Sequence, residues 1–404
     1  MGFEFTSGQL DVIREAKECI TKQKKQVFQY AGNPGTGKSV VLAEIINQLH
    51  LRPDEILPMA YTGTAANVMR RKGLINACTM YSGLYEAVEA PLVRNGEVVM
   101  DTYLDKPVVT IKFVPKAIDP KIKLLVFDEA GMIPFHLKHE IERRGLPIIA
   151  TGDLDQLPPI DDTPAYLADG DVMVLTEIMR QAWDSPIIYL SQQAKIGAPI
   201  HNGLYYGNNQ RVYVMEREEV PDYAYANSQV VLCCKNKTRD YLNSEIRVLK
   251  GCSGRLPRHG EKVVCRKNNS GIVADNIMLS NGTIGYVMNS PDVSGLSRDK
   301  RTFTIDLMPF MSSAPFFGIN ADFQYFNADY ETKRLIKNDK YSVGEKFELA
   351  YAITVHLSQG SQYEEGIYYE EFLNRDIQAR LNYTAITRFA NKMIYVKQPI
   401  RKYF

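Results

Sequence analysis

The stretch Gly32-Asn33-Pro34-Gly35-Thr36-Gly37-Lys38-Ser39 decides the fold of this chain. It has the G-x-x-x-x-G-K-S spacing of a phosphate-binding loop. Residues 27–30 before it are typical of a short apolar strand, and residues 40–50 after it of an amphipathic helix. The glycines let backbone N–H groups point at phosphate oxygens, Lys38 adds a positive charge, and Ser39 offers a hydroxyl to Mg²⁺. The stretch therefore predicts a domain that binds a nucleoside triphosphate.

Length and composition limit the class of protein. The chain has 404 residues, 45% hydrophobic and 24% charged, with a formal net charge of +1. This length allows about two to four globular domains, and the charge excludes a protein that coats nucleic acid with a basic surface. The apolar runs are too short for a membrane span, and the N terminus has no signal pattern. The 6 cysteines lack a C-x-x-C pair, so we expect free thiols and a cytoplasmic setting.

Two later apolar strands end in polar residues that suit phosphate chemistry. Residues 124–127 lead into Asp128 and Glu129, and residues 147–151 lead into a segment that contains Gln156. Buried parallel strands are apolar throughout, and their carboxyl ends open onto the ligand crevice. We therefore expect Asp128 to hold Mg²⁺, Glu129 to orient the attacking water, and Gln156 to sense the γ-phosphate.

Three positions have two interpretations each from the residues alone. Gln9 is either a solvated polar residue or an amide that recognises the adenine edge. The segment 62–66 either caps a helix or binds a phosphate backbone. Arg180, which follows an apolar segment, forms either a surface salt bridge or a contact with phosphate.

Two regions differ in composition from the parallel-sheet pattern. Residues 85–118 contain Arg94, Asn95 and Gly96 between β-forming residues, which predicts a hairpin. Residues 252–345 are rich in short strands, turns and aromatic residues, which we expect to pack in a core rather than stack on bases. We therefore divide the chain into two nucleotide-binding domains, each with one insertion. The first domain comprises residues 1–84 and 119–185, with residues 85–118 inserted. The second comprises residues 186–251 and 346–404, with residues 252–345 inserted.

The order of these motifs resembles that of superfamily 1 helicases of the RecD-like and phage Dda-like branch. The resemblance covers nearly the whole chain. It rests on the phosphate-binding loop and on the following segments: residues 62–66, Asp128-Glu129, Gly152-Asp153-x-x-Gln156-Leu157-Pro158-Pro159, 175–181, 354–360 and 383–388. Three positions depart from the family pattern, with Leu357 in place of a common Lys, Gln362 in place of Glu, and Tyr81 in place of His.

The resemblance implies an α/β fold with two RecA-like motor domains that enclose ATP and Mg²⁺. It also implies an SH3-like β-rich insertion in the second domain. We hypothesise that the β-hairpin insertion in the first domain separates the DNA strands through Arg94, Asn95 and Gly96. The implied catalytic residues are Lys38, Glu129, Gln156, Arg180 and Arg388, and Ser39 and Asp128 are the implied metal ligands. The nucleotide site would comprise Gln9, Gly32, Asn33, Pro34, Gly35, Thr36, Gly37, Lys38, Ser39, Arg180, Gly360 and Arg388. The DNA site would comprise Thr62, Gly63, Thr64, Thr79, Tyr81, Pro159, Thr354 and His356.

The resemblance further implies a monomer that moves 5′-to-3′ along single-stranded and fork DNA, with single-stranded-DNA-binding or replisome proteins as partners and no membrane. One alternative is a DNA-stimulated translocase that displaces proteins from DNA with little unwinding. A nucleotide switch would need one nucleotide domain, whereas this chain has a second sheet pattern that ends at Arg388. A clamp-loader type would need an oligomer to supply that arginine in trans.

Overall fold

The computed structural model describes most of the chain. The described residues are 4–91, 93–94, 97–98, 100–101, 106–107, 109–159, 162–168, 170–177, 184–267, 269–274, 277–291, 301–310, 314–337 and 343–398. Arg180, Asn95 and Gly96 lie outside them, so the roles predicted for these residues stay predictions. No helix in the described residues has both the length and the apolar character needed to cross a membrane.

A parallel sheet forms the centre of the first lobe. Its strands are β1 (Val27–Gly32), β2 (Ile56–Ala60), β3 (Cys78–Thr79), β10 (Leu124–Phe127), β11 (Ile148–Gly152) and β12 (Val172–Leu175). Their spatial order is β12-β1-β11-β10-β2-β3. Strands β10 and β11 are buried at every position because helices cover both faces. One face packs against α1 (Ser7–Thr21), α2 (Lys38–Gln48) and α3 (Gly63–Arg71), and the other against α4 (Met80–Leu84) and α5 (Lys138–Glu142).

A second, mostly parallel sheet forms the centre of the second lobe. Its strands are β13 (Gly203–Gly207), β14 (Gln210–Glu216), β15 (Val231–Cys233), β23 (Ala352–Thr354), β24 (Tyr363–Tyr369) and β25 (Phe389–Lys397). Their order is β13-β14-β25-β24-β15-β23. The accompanying helices are α6 (Pro186–Lys195), α7 (Asp222–Asn227), α8 (Asn236–Leu249), α11 (Val355–Ser358) and α12 (Arg375–Ile386). Two such sheets confirm the predicted α/β fold with two nucleotide-domain cores.

The antiparallel pair β13–β14 was not predicted. Asn208 and Asn209 connect the two strands with φ values of 47° and 60°. Asparagine tolerates this left-handed backbone better than most residues, and such two-residue turns match the twist of a hairpin. The Asn-Asn pair between β-forming residues was the signal that could have revealed it.

The described residues between 85 and 115 form antiparallel strand pairs in the first lobe, within the predicted insertion of residues 85–118. The long pair is β4 (Tyr85–Pro91) with β9 (Val109–Pro115), in a register that runs from Tyr85 opposite Pro115 to Pro91 opposite Val109. Two shorter pairs lie between them in sequence: β5 (Val93–Arg94) with β6 (Glu97–Val98), and β7 (Met100–Asp101) with β8 (Lys106–Pro107).

The insertion in the second lobe is an antiparallel β unit. Its main sheet contains β16 (Lys262–Cys265), β19 (Ile284–Val287), β20 (Thr302–Pro309), β21 (Phe316–Asp322) and β22 (Phe347–Leu349), in the order β21-β20-β19-β16-β22. A hairpin of β17 (Asn269–Ala274) and β18 (Ile277–Leu279) and the helices α9 (Phe323–Asn327) and α10 (Tyr330–Lys337) accompany it. Phe316 and Phe326 lie in its core, as expected, while Phe317 is exposed. The SH3-like character stays a prediction.

The apolar run at residues 349–354 is divided between two sheets. Strand β22 ends at Leu349 in the inserted sheet, and β23 begins at Ala352 in the second lobe. Ala350 and Tyr351 between them are buried. The apolar run is continuous because the chain passes from one core directly into the next, so periodicity alone could not show the break.

Candidate active site

The phosphate-binding loop has the backbone that its glycines predict. Gly35 and Gly37 have φ values of 83° and 81°, a left-handed conformation that glycine adopts without steric cost. A Cβ on Gly32 would lie 2.4 Å from Thr36 Oγ1, so the loop closes tightly there. Lys38 Nζ donates to the carbonyl oxygens of Gly32 at 2.6 Å and Asn33 at 3.3 Å. The ammonium is therefore held over the loop by neutral acceptors and keeps its charge available to phosphate.

Ser39 and Asp128 supply oxygen atoms of the kind that Mg²⁺ prefers. Asp128 follows β10, and burial raises the pKa of its carboxyl group, as does the neighbouring charge of Glu129. The positive charges of Lys72 and Lys38 act in the opposite direction. Lys72 Nζ also donates to Ser39 Oγ at 2.9 Å. A half-buried carboxylate and a hydroxyl that both interact with Lys72 fit a divalent cation, because the cation would favour the charged form of the acid.

Arg388 of the second lobe faces Glu129 of the first. Arg388 Nη1 lies 3.7 Å from Glu129 Oε1, and the arginine side chain is only 6% exposed. Nε donates to the carbonyl oxygen of Thr384 at 3.2 Å and Nη1 to that of Ser361 at 3.4 Å. Glu129 itself has a φ of 51°, a strained conformation that a non-glycine residue keeps only where the surroundings enforce it. The predicted catalytic glutamate and the predicted arginine finger thus meet between the lobes.

The segment 153–157 joins the two lobes beside this pair. Tyr383 Oη donates to Asp153 Oδ2 at 2.6 Å, and the Leu157 N–H donates to Thr384 Oγ1 at 3.0 Å. Gln359 Nε2 donates to the Leu157 carbonyl oxygen at 2.8 Å. Gln156 lies within this segment, and its Oε1 atom is buried without a hydrogen-bond partner among the described residues. A buried amide oxygen without a protein partner fits a residue that hydrogen-bonds to a water molecule or a ligand.

Gln9 is buried and attached to the phosphate-binding loop. Its Oε1 accepts from the Thr6 N–H at 3.0 Å, and its Nε2 donates to the Thr36 carbonyl oxygen at 2.9 Å. The residue is only 1% exposed, so the solvated interpretation was wrong. The Nε2 end of the amide connects α1 to the loop, and the Oε1 end caps the start of α1. Recognition of adenine stays a prediction.

The second lobe also reaches the loop through α6. Lys195 Nζ lies 2.6 Å from Asp155 Oδ2. With its amide oriented to satisfy its neighbours, Asn33 donates to Asp155 Oδ2 at 2.9 Å and accepts from Lys195 Nζ and Gln192 Nε2 at 3.2 Å each. The loop is therefore sensitive to the position of α6.

Three of the four threonines predicted to bind DNA cap helices. The Thr62, Thr79 and Thr354 hydroxyl groups accept from the N–H groups of Ala65 at 3.2 Å, Ser82 at 3.2 Å and Leu357 at 3.3 Å. The cap interpretation of Thr62 is confirmed. The contact with DNA stays open because a capped helix start still carries N–H groups and positive potential that attract phosphate.

A cavity of about 320 Å³ opens beside these caps. Gly63, Thr64 and Thr79 line it from the first lobe, and Gln362 and Tyr363 from the second. Ser280, Thr283 and Phe310 of the inserted β unit complete the wall. Three of the predicted DNA residues of the first lobe, Gly63, Thr64 and Thr79, therefore face a groove that is made by both lobes and the inserted β unit.

The remaining predicted DNA residues lie at several places. Tyr81 packs between the rings of Tyr85 and Phe113, with centroids 5.6 Å and 5.5 Å away, at the base of the β insertion. His356 follows the Thr354 cap, and burial lowers the pKa of its imidazole, which favours a neutral ring. Pro159 is half-buried in the loop after β11.

Gly360 contacts the start of α3, and its place in the nucleotide site stays a prediction. A Cβ there would lie 2.5 Å from Ala65 Cβ and 3.2 Å from Thr62 Oγ1. Leu357 packs against the core of the second lobe, which accounts for an apolar residue at that position.

Sequence reasoning missed several residues of the site, namely Lys72, Tyr383, Thr384, Lys195 and Arg380. Arg380 lines a second cavity, of about 370 Å³, together with Glu129, Asp153 and Gln156. Its guanidinium group makes no ion pair with the described residues. The spacing of Arg380 and Thr384 on α12 was a usable signal, because residues four apart lie on one helix face.

A family model described as an AAA domain matches residues 5–217. The chain belongs to this family, which comprises PIF1-like and RecD-like helicases. A protein of Methanocaldococcus jannaschii, MJ1519, described as uncharacterized, is 26% identical across 96% of this chain and 38% of its own length. The chain thus spans little more than a third of that relative.

Solved helicase structures show the same fold. Pif1 from Bacteroides in complex with ADP-AlF3 and ssDNA is 16% identical, with 98% of this chain and 92% of that chain covered and a TM-score of 0.56. A structure of two coordinating Pif1 helicases at forked double-stranded DNA has the same identity and coverage and a TM-score of 0.57. At this level of identity the likeness establishes the fold, and the resemblance seen in the motifs is confirmed by the family match.

The contact of Gly360 with α3 predicts a cost for any side chain at this position. In Gly360→Ala, the φ of 75° and the 2.5 Å approach to Ala65 would both be unfavourable. We expect the midpoint of thermal unfolding to fall by several degrees, about 2–8 °C. Gly254→Ala is the matched control, since Gly254 has a φ of 98° and nothing within 4 Å of the added atom. An equal fall in the unfolding midpoint of the two variants would show that the close approach of Gly360 to Ala65 adds no cost of its own.

Proposed function

We propose that this chain is an ATP-dependent helicase that moves 5′-to-3′ along single-stranded DNA and separates duplex DNA. The observation that carries the proposal is the 3.7 Å approach of Arg388 Nη1 to Glu129 Oε1. The two residues come from different parallel sheets of one chain. A cation positioned by the second lobe at the acidic site of the first is the arrangement that an arginine finger requires.

The residues of the site fit ATP as the substrate and Mg²⁺ as its metal. Lys38 and the loop N–H groups would hold the phosphates, and Ser39 and Asp128 would hold the metal, which neutralises charge on the phosphate oxygens. Glu129 would accept a proton from the attacking water, and the free Gln156 oxygen would help to position that water. Arg388 would stabilise the charge that develops on the transferring phosphoryl group.

Hydrolysis would be coupled to motion because the lobes meet beside the reacting residues. The bonds from Tyr383 to Asp153 and from Leu157 to Thr384 join the lobes on both sides of Gln156. Loss of the γ-phosphate next to Gln156 would change the hydrogen bonds that join the lobes. Closure of two lobes around a ligand is a common way to convert binding into movement. Since one chain supplies both Glu129 and Arg388, a monomer completes the site.

Single-stranded DNA would lie over the capped helix starts and the groove beside them. The overall charge of +1 offers little general attraction, so the grip must come from local donors such as Thr64 and Thr79. The related Pif1 from Bacteroides was solved with ssDNA, and another Pif1 structure contains forked DNA. Both observations support a DNA substrate for this chain.

Strand polarity is tested with forked substrates that carry a single 5′ or 3′ tail. We expect ATP-dependent unwinding of the 5′-tailed fork and little or none of the 3′-tailed fork, measured by the release of a labelled strand. Preference for the 3′ tail would contradict the proposed direction. DNA-stimulated ATP hydrolysis without release of either strand would favour the alternative, a translocase that displaces proteins.

Removal of the proposed arginine finger should separate binding from turnover. In Arg388→Ala we expect the affinity for a fluorescent ATP analogue to change little, while the rate of DNA-stimulated ATP hydrolysis falls by at least ~10³. Arg388→Lys keeps the charge and should restore only a small part of the rate, because the bidentate geometry is lost.

Two further variants control this measurement. Lys38→Ala should abolish both nucleotide binding and hydrolysis. Lys392→Ala removes an exposed cation that pairs with Glu365 on the surface of the same lobe, and it should behave as the wild type. Normal hydrolysis by Arg388→Ala would exclude the two-lobe site.

The β insertion of the first lobe is the proposed strand-separating pin. Residues 92–108 can be replaced by Asn-Gly, since Pro91 and Val109 face each other at the end of the β4–β9 register and this dipeptide favours a two-residue turn. We expect the variant to keep DNA-stimulated ATP hydrolysis and to lose release of the labelled strand. Unwinding at the wild-type rate, or loss of both activities in a folded variant, would contradict the role of a pin.

A further inference from the structure

Helix α3 connects two parts of the site that serve different ligands. Its first residues, Gly63 and Thr64, line the groove proposed for DNA. Just after its last residue, Lys72 extends to the phosphate-binding loop, where Nζ donates to Ser39 Oγ at 2.9 Å. The helix has only 9 residues and rises about 1.5 Å per residue, so a shift at one end must appear at the other.

The Lys72 contact competes with a metal ion. Ser39 is one proposed ligand of Mg²⁺, and the charge of Lys72 also acts on Asp128, the other. An ammonium group and a divalent cation repel each other strongly at short range. Lys72 and Mg²⁺ therefore cannot both be close to the Ser39 hydroxyl.

Lys72 is the cation of this turn that points to the site. Arg70 is engaged elsewhere, since Nε donates to the Ala77 carbonyl oxygen at 2.7 Å and Nη1 to Asn67 Oδ1 at 2.9 Å. Arg71 is exposed, and no ion pair links it to the described residues. The contact with Ser39 is thus specific to one residue and does not reflect a general positive charge at the end of α3.

The start of α3 is held by the second lobe. Gly360 leaves no room for a side chain against Ala65, and a Cβ on Gly63 would lie 2.8 Å from Ser280 Oγ of the inserted β unit. A DNA strand that enters the groove between these surfaces must displace α3 or adapt its own conformation to α3. The helix is therefore placed to sense DNA.

We propose that Lys72 couples DNA binding to the metal site, by occupying the Ser39 hydroxyl when DNA is absent and leaving it when α3 moves to accept DNA. This proposal rests on the proposed function, because it assumes that DNA and Mg–ATP are the two ligands. Lys72 acts through Ser39 and Asp128 and is a positioning residue. It keeps ATP hydrolysis low until the groove is filled.

The test measures how much Mg²⁺ is needed to bind a fluorescent ATP analogue, with and without single-stranded oligonucleotide. In the wild type we expect DNA to lower the Mg²⁺ concentration at half-saturation. Lys72→Met should lower this Mg²⁺ concentration roughly threefold to tenfold in the absence of DNA, as expected for the removal of one partly exposed charge. Addition of DNA should then lower the Mg²⁺ concentration little further. The DNA-independent rate of ATP hydrolysis should rise by a similar factor.

Two variants on the same helix turn serve as controls. Arg71→Met removes the neighbouring charge and should match the wild type, and Lys72→Arg should keep the dependence on DNA. A Lys72→Met protein that needs more Mg²⁺, or binds the nucleotide less tightly, would show that Lys72 is a phosphate ligand and overturn the proposal. An unchanged Mg²⁺ requirement in a variant with the wild-type unfolding midpoint would also overturn it.

These outcomes are distinct from a failure of the proposed function. Absence of DNA-stimulated ATP hydrolysis in the wild type would remove the helicase assignment. The Mg²⁺ requirement for nucleotide binding would still report whether Lys72 opposes the metal.

Discussion

The approach of Arg388 to Glu129 depends on two sheets that are far apart in sequence and are held together at one edge. The bonds made by Tyr383, Thr384 and Gln359 to the segment 153–157 fix this edge. All of them cluster around the carboxyl end of β11, where Gln156 also lies. These bonds hold Arg388 near the acidic residues. Burial of a guanidinium group is costly unless the group is paired and hydrogen-bonded, so the arginine would not stay there without them.

The threonine caps illustrate how structural and ligand-binding roles combine in one residue. A cap satisfies one N–H group at a helix start and leaves others free. Thr62, Thr79 and Thr354 each fix a helix start in this way, and two of these starts belong to one lobe and the third to the other. A polynucleotide that bridges the two lobes would therefore meet fixed donors on surfaces that move relative to each other. Uncharged polar side chains suit such a binding surface, because their hydrogen bonds to phosphate are weaker than ion pairs and are broken more easily.

Much of the fold and the identity of the main site residues could be predicted because they depend on local sequence. The glycine pattern of residues 32–39 predicted its own backbone, and the apolar runs before Asp128 and Gln156 predicted buried parallel strands. Contacts between distant segments could not be predicted in this way. Nothing in the spacing of Lys72 and Ser39, or of Asp153 and Tyr383, shows that they meet, because their separation is set by the packing of helices on sheets. The contact of Gly360 with α3 could not be predicted for the same reason. The divided apolar run at residues 349–354 shows the limit of periodicity, which reports burial but not which core a residue enters.

Several groups of the candidate site have conformations or surroundings that are unfavourable when each group is considered alone. Glu129 has a left-handed backbone, Asp128 is a half-buried acid with a raised pKa, and Gln156 has a buried oxygen without a partner among the described residues. Each of these conditions opposes folding. Two of them would be relieved by the proposed substrate, since a metal would favour the charged form of Asp128 and a positioned water would satisfy Gln156. The free energy released by binding would then act where the lobes join, because Leu157 next to Gln156 contacts the second lobe. Binding and lobe position are therefore linked by shared residues, and a separate transmission path is not needed.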